Sequence, residues 1–278
     1  MSETYEVLAV RYGTRQASAS DVFLNFGTYG EPDRPLGMDY FFWVIRSAGS
    51  GRSGPACTVV DTGFSPAGGA ARGRTTLMDL ASALRAAGVT PDDVAQVVVT
   101  HAHYDHIGGL PAFGAAEVIM TRSEYDFWTG PLAHRALFAH SVENEEIRYL
   151  QAIRDAGRLT LAGRSHRVAP GIELTEVGGH TPGQAIVTVR TGPGRVILAS
   201  DAVHYYEELE RDRPFSTVAN LADMYAAFDQ IREMEQDAGT SVVAGHDPAV
   251  AERFPAFGDR DGVFLLTAAI DAQGGRCR

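Results

Sequence analysis

The sequence predicts an α/β fold, on three observations: β-branched apolar runs that stop abruptly at polar turns, amphipathic helical segments between them, and metal-ligand residues gathered at the run ends. The clearest run is Val94-Ala95-Gln96-Val97-Val98-Val99-Thr100, continuous enough for a strand buried on both faces. Directly after it comes His101-Ala102-His103-Tyr104-Asp105-His106, three imidazoles and a carboxylate within six residues. Loops at the carboxyl ends of strands are where α/β enzymes carry their chemistry. Neutral imidazole and carboxylate suit zinc or a similar divalent ion, and this density points to two metals rather than one.

The elements are expected in the following order. Met1 to Gly13 and Tyr40 to Arg46 read as strands, and the segment between, Ala17 to Leu36, is either a substrate loop or a packing anchor through Phe23, Phe26 and Tyr29. Gly- and Ser-rich Ala48 to Pro55 reads as a hairpin connection. Thr75 to Gly88 reads as an amphipathic helix with Leu77, Leu80, Ala81 and Leu84 on one face and Gly88 closing it. After the strand Glu117 to Met120, a helix begins at Ser123, and residues of about 121–157 form a helical insertion. That insertion is a lid, a cover for the core or a dimer contact. Glu173 to Glu176, Gln184 to Arg190 and Val196 to Ser200 supply further strands, and Leu221 to Asp237 a helix. The tail Gly274 to Arg278 is expected to be disordered.

Further ligand candidates follow the same logic. His180 sits in Val177-Gly178-Gly179-His180-Thr181-Pro182-Gly183, Asp201 ends the apolar run from Arg195, and His246 ends the run from Ser241. His134, His140 and His166 match no such position and read as ordinary surface or helix residues.

With 278 residues and 45% hydrophobic content, the chain fits one domain, 1–278, of the upper size range. A formal charge of −11 argues against a nucleic-acid partner, which needs clustered Lys and Arg. Two cysteines, Cys57 and Cys277, suggest neither a disulfide framework nor a thiolate site. No secretory leader and no apolar run near the ~20 residues of a membrane span are visible, so a cytoplasmic enzyme without a membrane partner is expected.

His101, His103, Asp105, His106, His180, Asp201 and His246 together resemble the metallo-β-lactamase-fold hydrolases in order and residue type, as does Val59-Val60-Asp61-Thr62-Gly63. The resemblance spans roughly residues 40 to 250 and implies an αββα sandwich, two mixed β-sheets flanked by helices. It implies that His101, His103 and His180 bind a first Zn(2+), that Asp105, His106 and His246 bind a second, and that Asp201 bridges them. A histidine at His103, where the related di-iron oxidoreductases carry glutamate, resembles the zinc hydrolases. Within these, the chain is most similar to the N-acyl-homoserine lactonases. It shares their ligand set, an aromatic Tyr104 inside the motif, and a similar Ser200-Asp201-Ala202-Val203-His204-Tyr205-Tyr206-Glu207 segment.

The expected reaction is opening of a lactone ring by a hydroxide shared between two zinc ions, since bound metal lowers the pKa of water toward ~7. Asp105 would pass the proton to the leaving group. Those lactonases carry a tyrosine three residues after the bridging Asp, where this chain has His204. His204 is therefore either a donor to the substrate oxygen or a group behind the ligands, and Tyr205 or Tyr206, but not both, could take over the contact. Tyr104, Tyr206 and Phe23 are candidate substrate contacts, with Tyr205 and His204 as candidate catalytic groups beside Asp105. Arg213-Pro214-Phe215 is either a pocket edge or loop packing. The partner is a small lactone or ester, and the protein a monomer or homodimer. A thioesterase of the glyoxalase II kind uses the same ligands and is the alternative, although its C-terminal basic helix has no counterpart here.

Overall fold

Apolar side chains on both faces of a long hairpin set the architecture, and the computed structural model describes residues 4–47, 57–192 and 194–267. Strands β1 (Tyr5–Ser18) and β2 (Pro35–Ser47) pair antiparallel along their whole lengths. Alternation sends Val7, Ala9, Phe41, Trp43 and Ile45 to one face and Leu8, Val10, Phe42 and Val44 to the other, all buried. Each face must therefore be covered, which is the physical origin of a layered sandwich.

The first sheet continues through β3 (Cys57–Val60), β4 (Thr75–Thr76), β5 (Gln96–Val98), β6 (Glu117–Thr121) and β7 (Leu159–Ala162). The second sheet comprises β8 (Ser165–Ala169), β9 (Ile172–Glu176), β10 (Ala185–Arg190), β11 (Arg195–Ser200) and β12 (Thr240–Ala244). The last strand, β13 (Val263–Leu265), returns to pair with β1, so the first sheet runs β13-β1-β2-β3-β5-β6-β7 with β4 on β1, and the second β12-β11-β10-β9-β8. Both are mixed: β3, β5, β6 and β7 run parallel, as do β11 and β12, and the remaining pairs are antiparallel. Trp43, Ile45, Leu174, Val187 and Leu198 fill the space between the sheets, and the same cluster takes in Ile197 on the other face of β11 together with Met224, Phe228 and Ile231 on the helix Leu221–Glu235. On the other side, Leu8, Phe42, Val59 and Val97 pack with Leu84, Leu150 and Ile153 on helices. This is the expected αββα arrangement, and removing a side chain such as Trp43 from it costs ~3–5 kcal/mol.

Several boundaries differ from expectation. The segment Thr75 to Gly88 is helical only over Leu80–Ala86, because the Asp79 side chain accepts from the Ser82 amide and starts the helix there. Upstream, Thr75 and Thr76 pair with β1, and Leu77 is left exposed. Gly88 closes the helix in the left-handed region, φ +78°, as anticipated. Between β1 and β2, a loop was expected from Ala17, yet β1 runs to Ser18, which caps the short helix Ala19–Val22. The insertion holds the helices Arg122–Trp128, Ala136–Ala139 and Asn144–Asp155, the last burying Ile147, Leu150 and Ile153 against the first core. The hairpin connection placed at Ala48 to Pro55, the tail Gly274 to Arg278 and Cys277 lie outside the described residues. Among the described residues, no helix is long and apolar enough to cross a membrane.

Candidate metal centre

All seven candidate ligands meet at one end of the sandwich because each follows a strand. His101 to His106 come after β5, His180 after β9, Asp201 after β11 and His246 after β12. All seven are buried. Ligand atoms of His101, His103, His180 and Asp201 lie within 4.8 Å of one another, and so do those of Asp105, His106 and His246.

Buried hydrogen bonds hold the loops that deliver them. Asp61, after β3, accepts from the Thr100 amide at 2.9 Å and the Thr100 hydroxyl at 2.8 Å, fixing the residue before His101. The backbone is bent sharply at two strand ends, with Asp61 at φ 59° and Ser200 at φ 47°, a conformation costly for non-glycine residues and characteristic of functional sites. Glu124 accepts from the Ala102 and Gly183 amides, the Thr181 hydroxyl and Trp128 Nε1, at 2.6 to 3.0 Å, and so ties the first histidine loop to the turn carrying His180. A Cβ at Gly183 would lie 2.1 Å from the Glu124 nitrogen, so only glycine allows that approach.

The far side of three imidazoles is spoken for. His180 Nδ1 lies 2.7 Å from the Thr217 carbonyl and His246 Nδ1 lies 2.8 Å from the Asp39 carbonyl; a carbonyl only accepts, so each Nδ1 carries the proton. His106 Nδ1 donates likewise to Asp61 at 2.8 Å. Each Nε2 then presents a lone pair inward: that of His106 lies 3.2 Å and that of His246 3.1 Å from Asp201 Oδ1, and that of His180 3.4 Å from Asp201 Oδ2. The Nε2 atoms of His101 and His106 and Asp201 Oδ1 are buried without a hydrogen-bond partner. Acceptors converging on acceptors repel unless cations lie between them, and buried polar atoms without partners are costly. The donor set therefore fits two divalent ions, with carbonyl and carboxylate groups orienting the imidazoles from behind.

Titration follows the same geometry. Burial and neighbouring imidazoles hold His101 and His103 well below the usual histidine range, and burial with His204 nearby pushes His180 down to about 3. Burial opposes charging of His106, but Asp201, Asp61 and Asp105 outweigh it and raise its pKa. Burial also works against ionisation of Asp201, yet His246, His106, His204 and His101 hold it well below the carboxylate range.

A cleft of about 150 Å³ opens on this cluster, lined by residues that include Arg15, Tyr40, Arg74, Tyr104, His140, His204 and Phe215. Of the substrate candidates, Tyr104 reaches it, its hydroxyl accepting from Arg74 Nε at 2.9 Å. His204 also reaches it, stacked on Phe215 at 3.7 Å, with Nε2 3.0 Å from Asp201 Oδ2 and Nδ1 3.3 Å from Glu208 Oε1. Burial opposes its charged form, but those two carboxylates raise its pKa to about 9.

Tyr205, Tyr206 and Phe23 are placed elsewhere. The Tyr205 hydroxyl donates to the Gly37 carbonyl at 3.0 Å, and its buried ring lies 6.1 Å from that of Phe23. Tyr206 is buried in the core cluster that includes the second sheet and the helix Leu221–Glu235, with Arg253 3.6 Å over its ring. Phe23 bridges to Phe215 and so backs the cleft wall rather than forming it. Phe215 is thus the pocket edge, whereas neighbouring Arg213 is paired with Glu31 and Glu207. His140, read as an ordinary surface residue, lines the cleft instead. Glu124 and Glu208 went unrecognised because nothing in their local sequence marks a carboxylate as buried, and the Asp39 carbonyl because a backbone acceptor leaves no mark in sequence.

The family model described as the metallo-beta-lactamase superfamily matches residues 43–246. The chain belongs to this superfamily. Its relatives mark the lactonase-like branch: an N-acyl homoserine lactonase from a Bacillus species is 26% identical over 165 residues, 59% of this chain and 60% of that protein. The N-acyl homoserine lactonase AiiB of Agrobacterium fabrum is 28% identical over 178 residues, 61% of this chain and 62% of its own length. The chain thus spans about 60% of the length of these relatives. A crystal structure of a quorum-quenching N-acyl homoserine lactone lactonase superposes with a TM-score of 0.75 over 92% of this chain and 98% of that one, at 22% identity. The dizinc quorum-quenching lactonase AidC superposes with a TM-score of 0.70 over 99% and 94%, at 19% identity. These likenesses show the superfamily's fold.

Proposed function

We propose that the protein is a hydrolase that opens lactones, N-acyl homoserine lactones or related small lactones, or cleaves similar carboxylic esters, using two divalent ions. The observation that carries this reading is the inward lone pairs of His106, His180 and His246, fixed by acceptors behind them and facing a shared carboxylate. His101, His103 and His180 would hold one ion, Asp105, His106 and His246 the other, and Asp201 both. Imidazole and carboxylate donors suit zinc among several divalent ions, and the resemblance of His103 to the zinc hydrolases supports zinc. Bound there, such ions supply Lewis acidity and bring the pKa of water toward ~7. The N-acyl homoserine lactonase relatives support the choice of lactones.

The chain supplies orientation and proton transfer. Water oxygen joins the carbonyl carbon, the ring C–O bond breaks, one proton reaches the departing alkoxide and the other leaves to solvent, giving a hydroxy acid. Asp105 is the proton carrier: its backbone carbonyl is held by the Tyr12 hydroxyl at 2.9 Å, and its carboxylate oxygens stand 3.9 Å from His106 Nε2 and from His246 Nε2 at the cleft floor. His204, with both ring nitrogens beside carboxylates, acts through Asp201 as a positioning residue.

The test is proton release by zinc-loaded protein with N-acyl homoserine lactones, simple γ-lactones, linear esters and thioesters. Lactone turnover that is lost on chelation and restored by zinc is the expected result. A fully metallated protein that cleaves thioesters but no lactone would move it to the glyoxalase II kind of activity, and one inert to every class would overturn the hydrolase reading.

A further inference from the structure

The cleft carries a charge that the chain as a whole lacks. With 35 acidic and 24 basic residues the protein has a formal charge of −11, yet three arginines, Arg15, Arg72 and Arg74, line the cavity beside the metal cluster. Arg72 is fully engaged, paired with Glu143 and donating to the Gly68 and His140 carbonyls at 3.2 and 2.9 Å. Arg15 and Arg74 are different. Among the described residues Arg15 has one polar contact, Nε to Met38 Sδ at 3.1 Å, which leaves its two terminal nitrogens free. Arg74 donates through Nε to Tyr104 and through Nη1 to the Arg72 carbonyl at 2.9 Å, and among the described residues its Nη2 has no partner.

Both side chains are half-buried and held in place by the fold. Arg15 stands opposite Met38 in the β1–β2 register, and Met38 Sδ also meets the Tyr40 hydroxyl at 3.5 Å. The Arg74 guanidinium lies 5.8 Å from the centroid of the Tyr40 ring, which is itself 5.0 Å from the His246 imidazole. One aromatic ring therefore separates this guanidinium from a candidate metal ligand. Elsewhere around the same strands and loops, Arg11, Arg34, Arg211 and Arg213 each have a carboxylate. Half-burying a guanidinium without a contacting carboxylate forfeits part of its hydration, Asp105 acting on Arg74 only from beyond ion-pair distance, so an acidic chain that leaves two such groups at its active-site wall reserves them for a ligand.

We propose that Arg15 and Arg74 receive an anionic substituent of the substrate, a carboxylate in the simplest case, so that the lactone or ester cleaved here is an acid rather than a neutral acyl lactone. The bond cleaved rests on the hydrolase reading; the anion site rests on the arginines alone. The forked donors suit the two oxygens of a carboxylate, and their field, focused by the cleft, draws an anion toward a protein whose overall charge repels it.

The test separates the two. Pyroglutamate is a lactam that keeps the ring and carboxylate of γ-carboxy-γ-butyrolactone, and pyroglutamide is its neutral counterpart. Calorimetry on zinc-loaded protein should show pyroglutamate binding at least tenfold more tightly than pyroglutamide. In Arg15→Gln and Arg74→Gln that ratio should fall at least threefold each, while Arg15→Lys, which retains charge without the fork, should keep part of it. Equal binding of the two lactams, or a ratio unchanged in both glutamine variants, overturns the proposal, the latter because the carboxylate would then be held by the metals. In turnover, γ-carboxy-γ-butyrolactone should exceed γ-butyrolactone in kcat/KM by a similar factor, and an equal kcat/KM overturns the substrate assignment. If neither these lactones nor any other lactone, ester or thioester is cleaved while the lactam ratio and its loss in the variants stand, the hydrolase reading fails and the anion site is upheld.

Discussion

The two walls of the cleft are built on opposite principles. On the histidine wall, His106, His180 and His246 each have their outer nitrogen tied to a buried acceptor, and the loops are cross-linked by Asp61 and Glu124. On the other wall, among the described residues, both terminal nitrogens of Arg15 and Nη2 of Arg74 are free of protein partners. One wall is rigid and fully determined by the protein; the other is left to be completed by what binds. The difference teaches where specificity can vary without disturbing the chemistry: on the second wall, since changes on the first propagate through buried hydrogen bonds.

Breaking the histidine wall at its shared ligand should have the largest effect. Asp201→Asn is expected to reduce lactone kcat/KM by at least ~10³, because the carboxylate that faces the imidazoles of His101, His106, His180, His204 and His246 loses its charge. Steady-state rates alongside metal analysis check this, and retention of a tenth of the activity would contradict it. Next comes Glu124→Ala, which strands four buried donors at once. With unsatisfied donors costing ~1–3 kcal/mol each, partly relieved by relaxation, a loss of ~3–5 kcal/mol in urea unfolding is expected. Asp61→Ala, acting one bond behind His106, should weaken metal affinity ~10- to 100-fold by chelator competition while the chain stays folded.

The smallest expected effect comes from Glu146, on the insertion helix Asn144–Asp155. Burial pushes its carboxyl up to about 7, with Glu143 and Asp105 adding to the shift and Ser65 and Arg72 opposing it. Its folded pKa lies above the unfolded value of about 4.5, so the folded state binds the proton more readily and stability declines as pH rises from about 4.5 through about 7. Glu146→Gln should remove that decline and add ~1 kcal/mol at pH 8, after allowance for solvent screening, with little change at pH 4.5. Equal stability changes at both pH values would show the carboxyl to be unperturbed.

The same contrast governs what could be read from sequence. The strands and the seven ligand candidates were legible because a buried strand and a histidine-rich turn are written in adjacent residues: Val97 to Val99 and His101 to His106 lie within one short stretch. Asp39, Glu124 and Glu208 act on groups 207, 22 and 4 positions away, through burial that only the assembled sheets create. Tyr205 and Tyr206 looked available because three aromatic or imidazole side chains follow one another, yet the turn after Asp201 leaves His204 alone at the cleft and buries both tyrosines. Arg15 and Arg74 gave no signal at all, since a free guanidinium is recognisable only once every possible partner has been placed elsewhere. The helix expected from Thr75 failed for a local reason, the Asp79 cap, that outweighed the apolar spacing of Leu77.

Metal stoichiometry tests the central claim most directly. Native mass spectrometry of the protein titrated with Zn(2+) should show two ions per chain in wild type, and fewer in both Asp201→Asn and His180→Ala. Binding of no more than one ion by the folded wild-type chain, or two ions undiminished in both variants, would contradict the assignment of these inward-facing nitrogens and carboxylates as a two-metal centre.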